Sequence, residues 1–153
     1  MSRLELRVPP LALAALCAIG ITALPDIVAL PLLAFSGHKV VAVGAFVLGA
    51  LIAAGGVIEF KRSTTTVNPL TPEQSRSIVT TGVYRWSRNP MYVGMATALL
   101  GVAVWRASLP GYALVPLFCA WLDRFQIQPE ERVLLAGFGA EYSNYMSQVR
   151  RWV

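Results

Sequence analysis

Arg88-Asn89-Pro90-Met91-Tyr92-Val93-Gly94 places a guanidinium, an amide and a phenol where a long apolar run begins, and Glu130-Glu131 follow the end of a later one. A helix starting at Asn89-Pro90 presents N–H groups whose dipole favours an anion, so Arg88 is a candidate partner for a carboxylate or phosphate. Glu130 and Glu131, at the head of another helix, would complement an amine, a sulfonium or a ribose hydroxyl. Together these groups could hold a zwitterionic ligand in an amphiphilic crevice. Each also has a plainer reading: Arg88 as a membrane-surface anchor, the two glutamates as helix-start stabilisers, and Tyr84, Trp86 and Tyr92 as an interfacial aromatic belt. Glu131 is a possible helper that also suits pairing with an arginine. No side chain stands out as a general base, so the catalytic residue is unassigned.

His38 is the only histidine, and Cys17 and Cys119 fall inside apolar runs without metal-ligand spacing. A metal centre, a Ser-His-Asp triad and a disulfide are therefore not expected.

The elements that must position these groups are apolar. Only 14% of the 153 residues are charged, against about 25% in an ordinary soluble domain, and mean hydropathy is +0.57. The deficit lies in uncharged runs at 8–25, 40–58, 89–105 and 107–122, each near the ~17–25 residues needed to cross a bilayer. The pattern predicts four transmembrane helices. The first run also fits a signal peptide behind Arg3 and Arg7, but cleavage would leave the apolar 27–35 segment leading the chain. With four spans, eleven of the thirteen cations fall on one side, leaving Lys39 and Arg106 opposite. The positive-inside rule then puts both termini and segment 61–88 in the cytoplasm. The +5 net charge is thus a topology signal, and no aromatic-basic platform for nucleic acid accompanies it.

The first helix is expected to begin near Pro9 and Pro10 and to end or kink at Pro25 and Asp26. Ala45, Gly49 and Ala53 form a small-residue ridge matched by Gly94 and Ala98, allowing close helix pairing within one chain or between two. Segment 63–88 should fold over the cytoplasmic mouth, with 78–84 as a short extended piece turning at Gly82. The Asn89 side chain should cap the next helix, with Pro90 in its first turn. Leu109-Pro110-Gly111 reads as a tight turn. From Pro129 onward, Leu134, Phe138, Tyr142, Tyr145 and Val149 make one stripe on a single amphipathic helix, followed by Arg150, Arg151 and Trp152 as an interfacial anchor. The whole chain, 1–153, reads as one membrane domain.

Thr80-Thr81-Gly82-Val83-Tyr84-Arg85, Arg88 to Gly94, and Glu130-Glu131 followed by Phe138-Gly139-Ala140-Glu141-Tyr142 and Tyr145 resemble, in order and spacing, the isoprenylcysteine carboxyl methyltransferase family. Phospholipid N-methyltransferases share parts of the pattern. The resemblance covers 68–152 and implies an all-α integral membrane enzyme that uses S-adenosylmethionine without a Rossmann sheet. Consistently, no glycine-rich dinucleotide fingerprint follows a strand pattern. By position, the resemblance implies a cofactor pocket of Asn68, Arg76, Ser77, Ile78, Val79, Tyr84, Asn89, Pro90, Met91, Tyr92 and Glu130, beside the Arg88 already noted. Asn89 stands where the family often carries histidine. Gln126 stands where the prenyl-protein enzymes place a substrate-contacting arginine, and Arg124 is two residues away. These two are the candidate acceptor-binding residues. The implied acceptor is lipophilic, bearing a carboxylate, thiol or amine. Membrane sterol reductases resemble the same C-terminal architecture, so an NADPH-dependent reductase is one alternative; a non-catalytic membrane scaffold is the other.

Overall fold

The computed structural model describes residues 5–23, 34–63 and 77–153. Among them every regular element is helical and none is a strand. Helix α1 spans Pro10–Ala23, α2 His38–Arg62, α3 Pro90–Arg106, α4 Leu109–Leu122, α5 Gln128–Phe138 and α6 Ala140–Gln148. A single 3-10 turn, Gly82–Arg85, precedes α3, and a π-helical turn, Asp123–Ile127, joins α4 to α5.

Of the four expected spans, α2 is long and apolar enough to cross a membrane by itself at 25 residues, while α1, α3 and α4 have 14, 17 and 14. One flank of α2 leaves Val40, Val41, Val43, Phe46, Val47, Leu48, Leu51 and Ile58 exposed. An apolar face of that extent is not tolerated in water and needs lipid or protein against it.

The small-residue ridges pair within the chain. A Cβ on Gly49 would lie 2.5 Å from the Ala98 nitrogen and the Gly94 oxygen, and one on Gly94 would lie 2.5 Å from the Gly49 oxygen. The α2 and α3 backbones touch there because neither residue has a side chain, which replaces the hydrophobic effect as the source of helix association in lipid. On the other flank of α3, the core gathers Ile21 of α1, Leu99 and Ala103 of α3, and Phe118 and Leu122 of α4, with Ile127 of the π turn.

The ends of the bundle separate charge as the sequence suggests. Leu6 N–H donates to the Phe125 carbonyl and Arg88 N–H to the Arg150 carbonyl, so the N-terminal stretch, the entry to α3 and the C-terminal residues meet at one end. The Lys39 ammonium lies over the Trp105 ring at the other end, next to Arg106.

Several local expectations change. Residues 78–80 are irregular and Gly82–Arg85 is helical, although Gly82 does supply the turn, with φ +57°. The turn expected at Leu109-Pro110-Gly111 falls one step earlier, at Ala107-Ser108; Ser108 caps α4, and the prolyl ring occupies its first turn. The single amphipathic helix after Pro129 is two helices, because Gly139 adopts φ +51°, ψ −120°, a conformation cheap only for glycine. The expected break at Pro25-Asp26 and most of 27–35 lie outside the described residues.

Pro129 explains the π turn. It has no N–H to offer the Phe125 carbonyl four residues back, and its ring would collide with that oxygen in a regular helix. The chain widens by one residue, so that Gln128 N–H bonds the Asp123 carbonyl, and the freed Phe125 carbonyl accepts from Leu6 N–H at 3.1 Å. Widened turns of this kind re-aim side chains, and they often sit at functional sites.

Candidate functional site

The π turn sends Asp123, Arg124 and Gln126 to three different partners, and each nucleates a polar cluster at the basic end of the bundle. In the first, Gln126, fully buried, donates through Nε2 to Glu130 Oε1, and Tyr92 Oη donates to the same oxygen at 2.7 Å. Glu130 Oε2 has no hydrogen bond to a described residue. Glu130 keeps some exposed surface, yet the protein packed around its carboxyl group pushes its pKa up to about 7. Burial is the main cause, the Glu131 charge adds to it, and the bonds from Gln126 and Tyr92 oppose it. The carboxyl group is therefore poised to change charge near neutrality, a property concentrated at functional sites.

Tyr84 and Met91 close one side of this cluster. A Cβ on Gly56 of α2 would lie 2.6 Å from Met91 Cγ and 3.5 Å from Tyr84 Oη, so both side chains lean over that glycine. The Tyr84 ring meets Phe60 edge-on at 5.3 Å, and its carbonyl accepts from Tyr145 Oη at 2.7 Å. Burial raises both phenols well above their ordinary value, and the Glu130 charge contributes at Tyr84. Both therefore remain protonated donors at neutral pH.

The second cluster is an ion-pair clamp. Arg88 uses all three guanidinium nitrogens: Nε and Nη2 on Glu131 Oε1 at 3.2 and 2.7 Å, and Nη1 on the Met146 and Val149 carbonyls at 3.1 and 2.6 Å. Arg151 bonds Glu131 Oε2 at 2.6 Å and Asp123 Oδ1 at 3.0 Å. The hydrogen bond to Glu131 raises its pKa, against burial. Arg151 also returns its carbonyl to Asn89 Nδ2 at 2.9 Å and Ser87 Oγ at 3.3 Å. The C-terminal residues thus strap the entry to α3.

Third, Glu5, buried, holds Arg124 at 3.2 Å and Arg132 at 2.8 Å, fixing the N-terminal stretch on the π turn.

The residues singled out by sequence divide accordingly. Tyr84, Met91, Tyr92, Gln126 and Glu130 come together. Pro90 starts α3 and is buried, while Arg88 and Asn89 belong to the clamp; Asn89 caps α3 with its carbonyl rather than its side chain. Ser77 Oγ reaches the Ser63 carbonyl at 3.4 Å, and Val79 is buried, placing 77–79 beside the end of α2. Arg124 points to Glu5, away from Gln126. Asn68 and Arg76 lie outside the described residues. Tyr84 and Tyr92 are buried, so of the three expected belt aromatics only Trp86, 80% exposed, fits that role. The C-terminal anchor is also corrected: Arg151 is in the clamp and Trp152 packs on the core, leaving Arg150 exposed.

Sequence reasoning missed Glu5 and Asp123, and it missed Glu59, which accepts from Thr81 Oγ1 at 2.7 Å. Among the few acidic residues of so apolar a chain, an acid near a helix end was the available signal. No group of residues able to hold a metal ion occurs among the described residues.

A family model described as phospholipid methyltransferase matches residues 38–141, more than half of the chain. The chain belongs to the phospholipid methyltransferase family. The chain is also similar to protein-S-isoprenylcysteine O-methyltransferases: 34% identical over 80 residues to one from Saccharomyces cerevisiae, covering 50% of this chain and 32% of the relative. A second, from Schizosaccharomyces pombe, is 27% identical over 118 residues, covering 75% and 49%. An uncharacterized Haemophilus influenzae protein is 35% identical over 63 residues, which cover 41% of this chain and all of that relative. The chain spans a third to a half of the length of these two yeast enzymes. No solved structure matches it. The resemblance read from the motifs therefore holds at the level of the family, and the membrane character expected of it agrees with the apolar α2.

Proposed function

We propose that this protein is an integral membrane methyltransferase that transfers a methyl group from S-adenosylmethionine to a lipophilic acceptor at the cytoplasmic face. The observation that carries this reading is the Tyr92–Gln126–Glu130 cluster: an enclosed carboxylate, oriented through one oxygen, with Tyr84 and Met91 beside it. These residues fit the cofactor, because a carboxylate enclosed by apolar and phenolic groups complements a sulfonium or a ribose diol. When bound, the sulfonium supplies an already activated methyl group, so transfer needs alignment and exclusion of water rather than a covalent enzyme intermediate.

In this reading Glu130 binds through Oε2, Tyr92 and Gln126 hold it in place, and Tyr84 and Met91 form an apolar wall. Ser77, Ile78 and Val79 complete the pocket from the preceding segment, to which the family resemblance adds Asn68 and Arg76. Pro90 sets the entry angle of α3. Arg88 and Asn89 act by positioning the strap rather than by touching the ligand. Gln126 borders the acceptor side, and Arg124, exposed and paired to the buried Glu5, would meet only the polar head of an acceptor.

The same geometry supports a four-span topology. Residues 5–6, 87–89 and 149–152 meet at the basic end, as an even number of crossings requires, and both ends and the pocket then face the cytoplasm. The short α1, α3 and α4 cross with their flanking residues at the interface. The clamp also counts against a nicotinamide dinucleotide: Arg88, Arg124, Arg132 and Arg151 are already held in ion pairs and are not free for a pyrophosphate.

Calorimetry on detergent-purified protein tests the reading. S-adenosylmethionine and S-adenosylhomocysteine should bind saturably, NADPH should not, and Glu130→Ala should weaken both ligands while the protein stays folded. At pH 7 only the sulfonium should release protons from Glu130, up to about half a proton per site for a group with a pKa near 7, read from the buffer dependence of the binding heat. Absence of saturable binding to folded protein would refute the assignment.

A further inference from the structure

Residues 5 and 6 grip the π turn from outside at three points. The Glu5 carboxylate accepts from Arg124 Nη1 at 3.2 Å and from Arg132 Nη2 at 2.8 Å, one oxygen for each. Leu6 N–H donates to the Phe125 carbonyl, the one released by Pro129, at 3.1 Å. Leu6 makes this bond with φ +56°, a left-handed backbone that a residue with a Cβ keeps only where its surroundings hold it there. The two arginines bracket the Gln126–Glu130 hydrogen bond in sequence: Arg124 stands two residues before Gln126, and Arg132 two residues after Glu130. The carbonyl bonded by Leu6 lies in the peptide link that leads into Gln126.

Both arginine side chains are more than half exposed, whereas that of Glu5 is 4% exposed. A carboxylate taken out of water must stay paired, so Glu5 fixes the distance between its two partners more strictly than a surface ion pair would. We propose that Glu5 is a positioning residue for ligand binding: by tying Arg124 to Arg132 it holds the π turn at the width that aims Gln126 at Glu130, and so orients the carboxylate offered to the methyl donor. This rests on the pocket proposed above, but the aim of Gln126 can be read without any ligand. The other flank of the turn is held independently, with Asp123 accepting from Gln128 Nε2 at 2.9 Å and from Arg151 Nη1 at 3.0 Å. Loss of the Glu5 brace therefore re-aims Gln126 without unravelling the helix.

Glu130 reports the outcome. Burial raises its pKa, the hydrogen bonds from Gln126 and Tyr92 oppose that, and the Glu131 charge adds to it; the Tyr84 and Tyr142 phenols complete the titratable groups around it. Losing the Gln126 bond raises the pKa of Glu130 further. A general loosening of the fold does the opposite, because water reaching the carboxyl group relieves the burial. Direct electrostatics also act in the opposite sense, since removing the Glu5 charge and releasing two cations favours the ionised carboxylate. The direction of the shift thus separates a positioning role from a structural one.

The test compares each protein with its Glu130→Gln counterpart by denaturant titration across pH. Their stability difference grows with pH until the folded-state pKa of Glu130 is passed, then levels off. With Glu5→Gln the levelling should come at higher pH than in the unsubstituted protein, as it should with Gln126→Leu, and combining the two should move it no further than Gln126→Leu alone. Arg132→Gln, at an exposed position that leaves Glu5 paired to Arg124, should move it the same way by a smaller amount, and decides the matter should Glu5→Gln fail to fold. Calorimetry at pH 7 should show S-adenosylhomocysteine bound about tenfold more weakly by Glu5→Gln, the loss of one charge-assisted hydrogen bond. A levelling point that stays put or moves to lower pH would overturn the proposal, as would undiminished affinity in a variant whose levelling point has risen. Failure of the unsubstituted protein to bind S-adenosylhomocysteine would instead count against the methyltransferase reading, while the pH window still decides whether Glu5 aims Gln126.

Discussion

Glu130 makes the stability of this protein fall as pH rises through a defined window. In the unfolded chain its carboxyl group has the ordinary value of 4.5, and in the folded protein it is raised to about 7. Between those values the unfolded state has released the proton and the folded state still holds it, so each pH unit favours unfolding by ~1.4 kcal/mol. The total is about 3 kcal/mol, absent below pH 4.5 and fully present above pH 7. Glu130→Gln fixes the neutral form and keeps an oxygen for Tyr92 and Gln126. The two proteins should therefore be about equally stable at pH 4.5, and the variant about 3 kcal/mol more stable at pH 8. Denaturant titration in mild detergent, followed by tryptophan fluorescence at half-unit pH steps, measures the difference and cancels every titration common to both. A difference independent of pH between 5 and 7.5 would refute the reasoning and show that Glu130 is ionised throughout.

Further expectations rest on the clamp and the ridge. Glu131→Ala strips the shared anion from Arg88 and Arg151 and should destabilise the fold by about 3 kcal/mol, the low end for a broken buried pair because Arg151 is partly exposed and keeps Asp123; an unchanged denaturation midpoint would count against it. Arg151→Lys should retain more stability than Arg151→Ala but less than arginine, because one ammonium cannot span Glu131 and Asp123 as a guanidinium does. Gly49→Val should lower the folded yield, through overpacking of about 1–3 kcal/mol or more, whereas Gly44→Ala, with nothing within 4 Å of an added Cβ, should not. Equal yields would mean that α2 and α3 do not pair through Gly49.

The helical class, the start of α3 at Pro90, the charge-divided ends and the family resemblance were legible in the amino-acid order, because each depends on local spacing: apolar run length, proline position, cation placement, motif order. The roles of individual polar residues were not. Arg88 reads as an anion site from its position before a helix, and only folding brings Glu131 and two α6-end carbonyls onto its guanidinium. Glu130 and Glu131 are neighbours in sequence with one apparent role, yet 100° of helical rotation sends one to Tyr92 and the other to the clamp. The π turn was hidden as well, although its cause, Pro129, was in plain view. A proline forbids one hydrogen bond, but whether the helix breaks, kinks or widens depends on what takes the freed carbonyl, and here that is Leu6, more than a hundred residues away in the chain. Spacing along one helix decided the fold class; contacts between distant segments decided which charges hold the structure together and which carboxyl group is enclosed without a cation beside it.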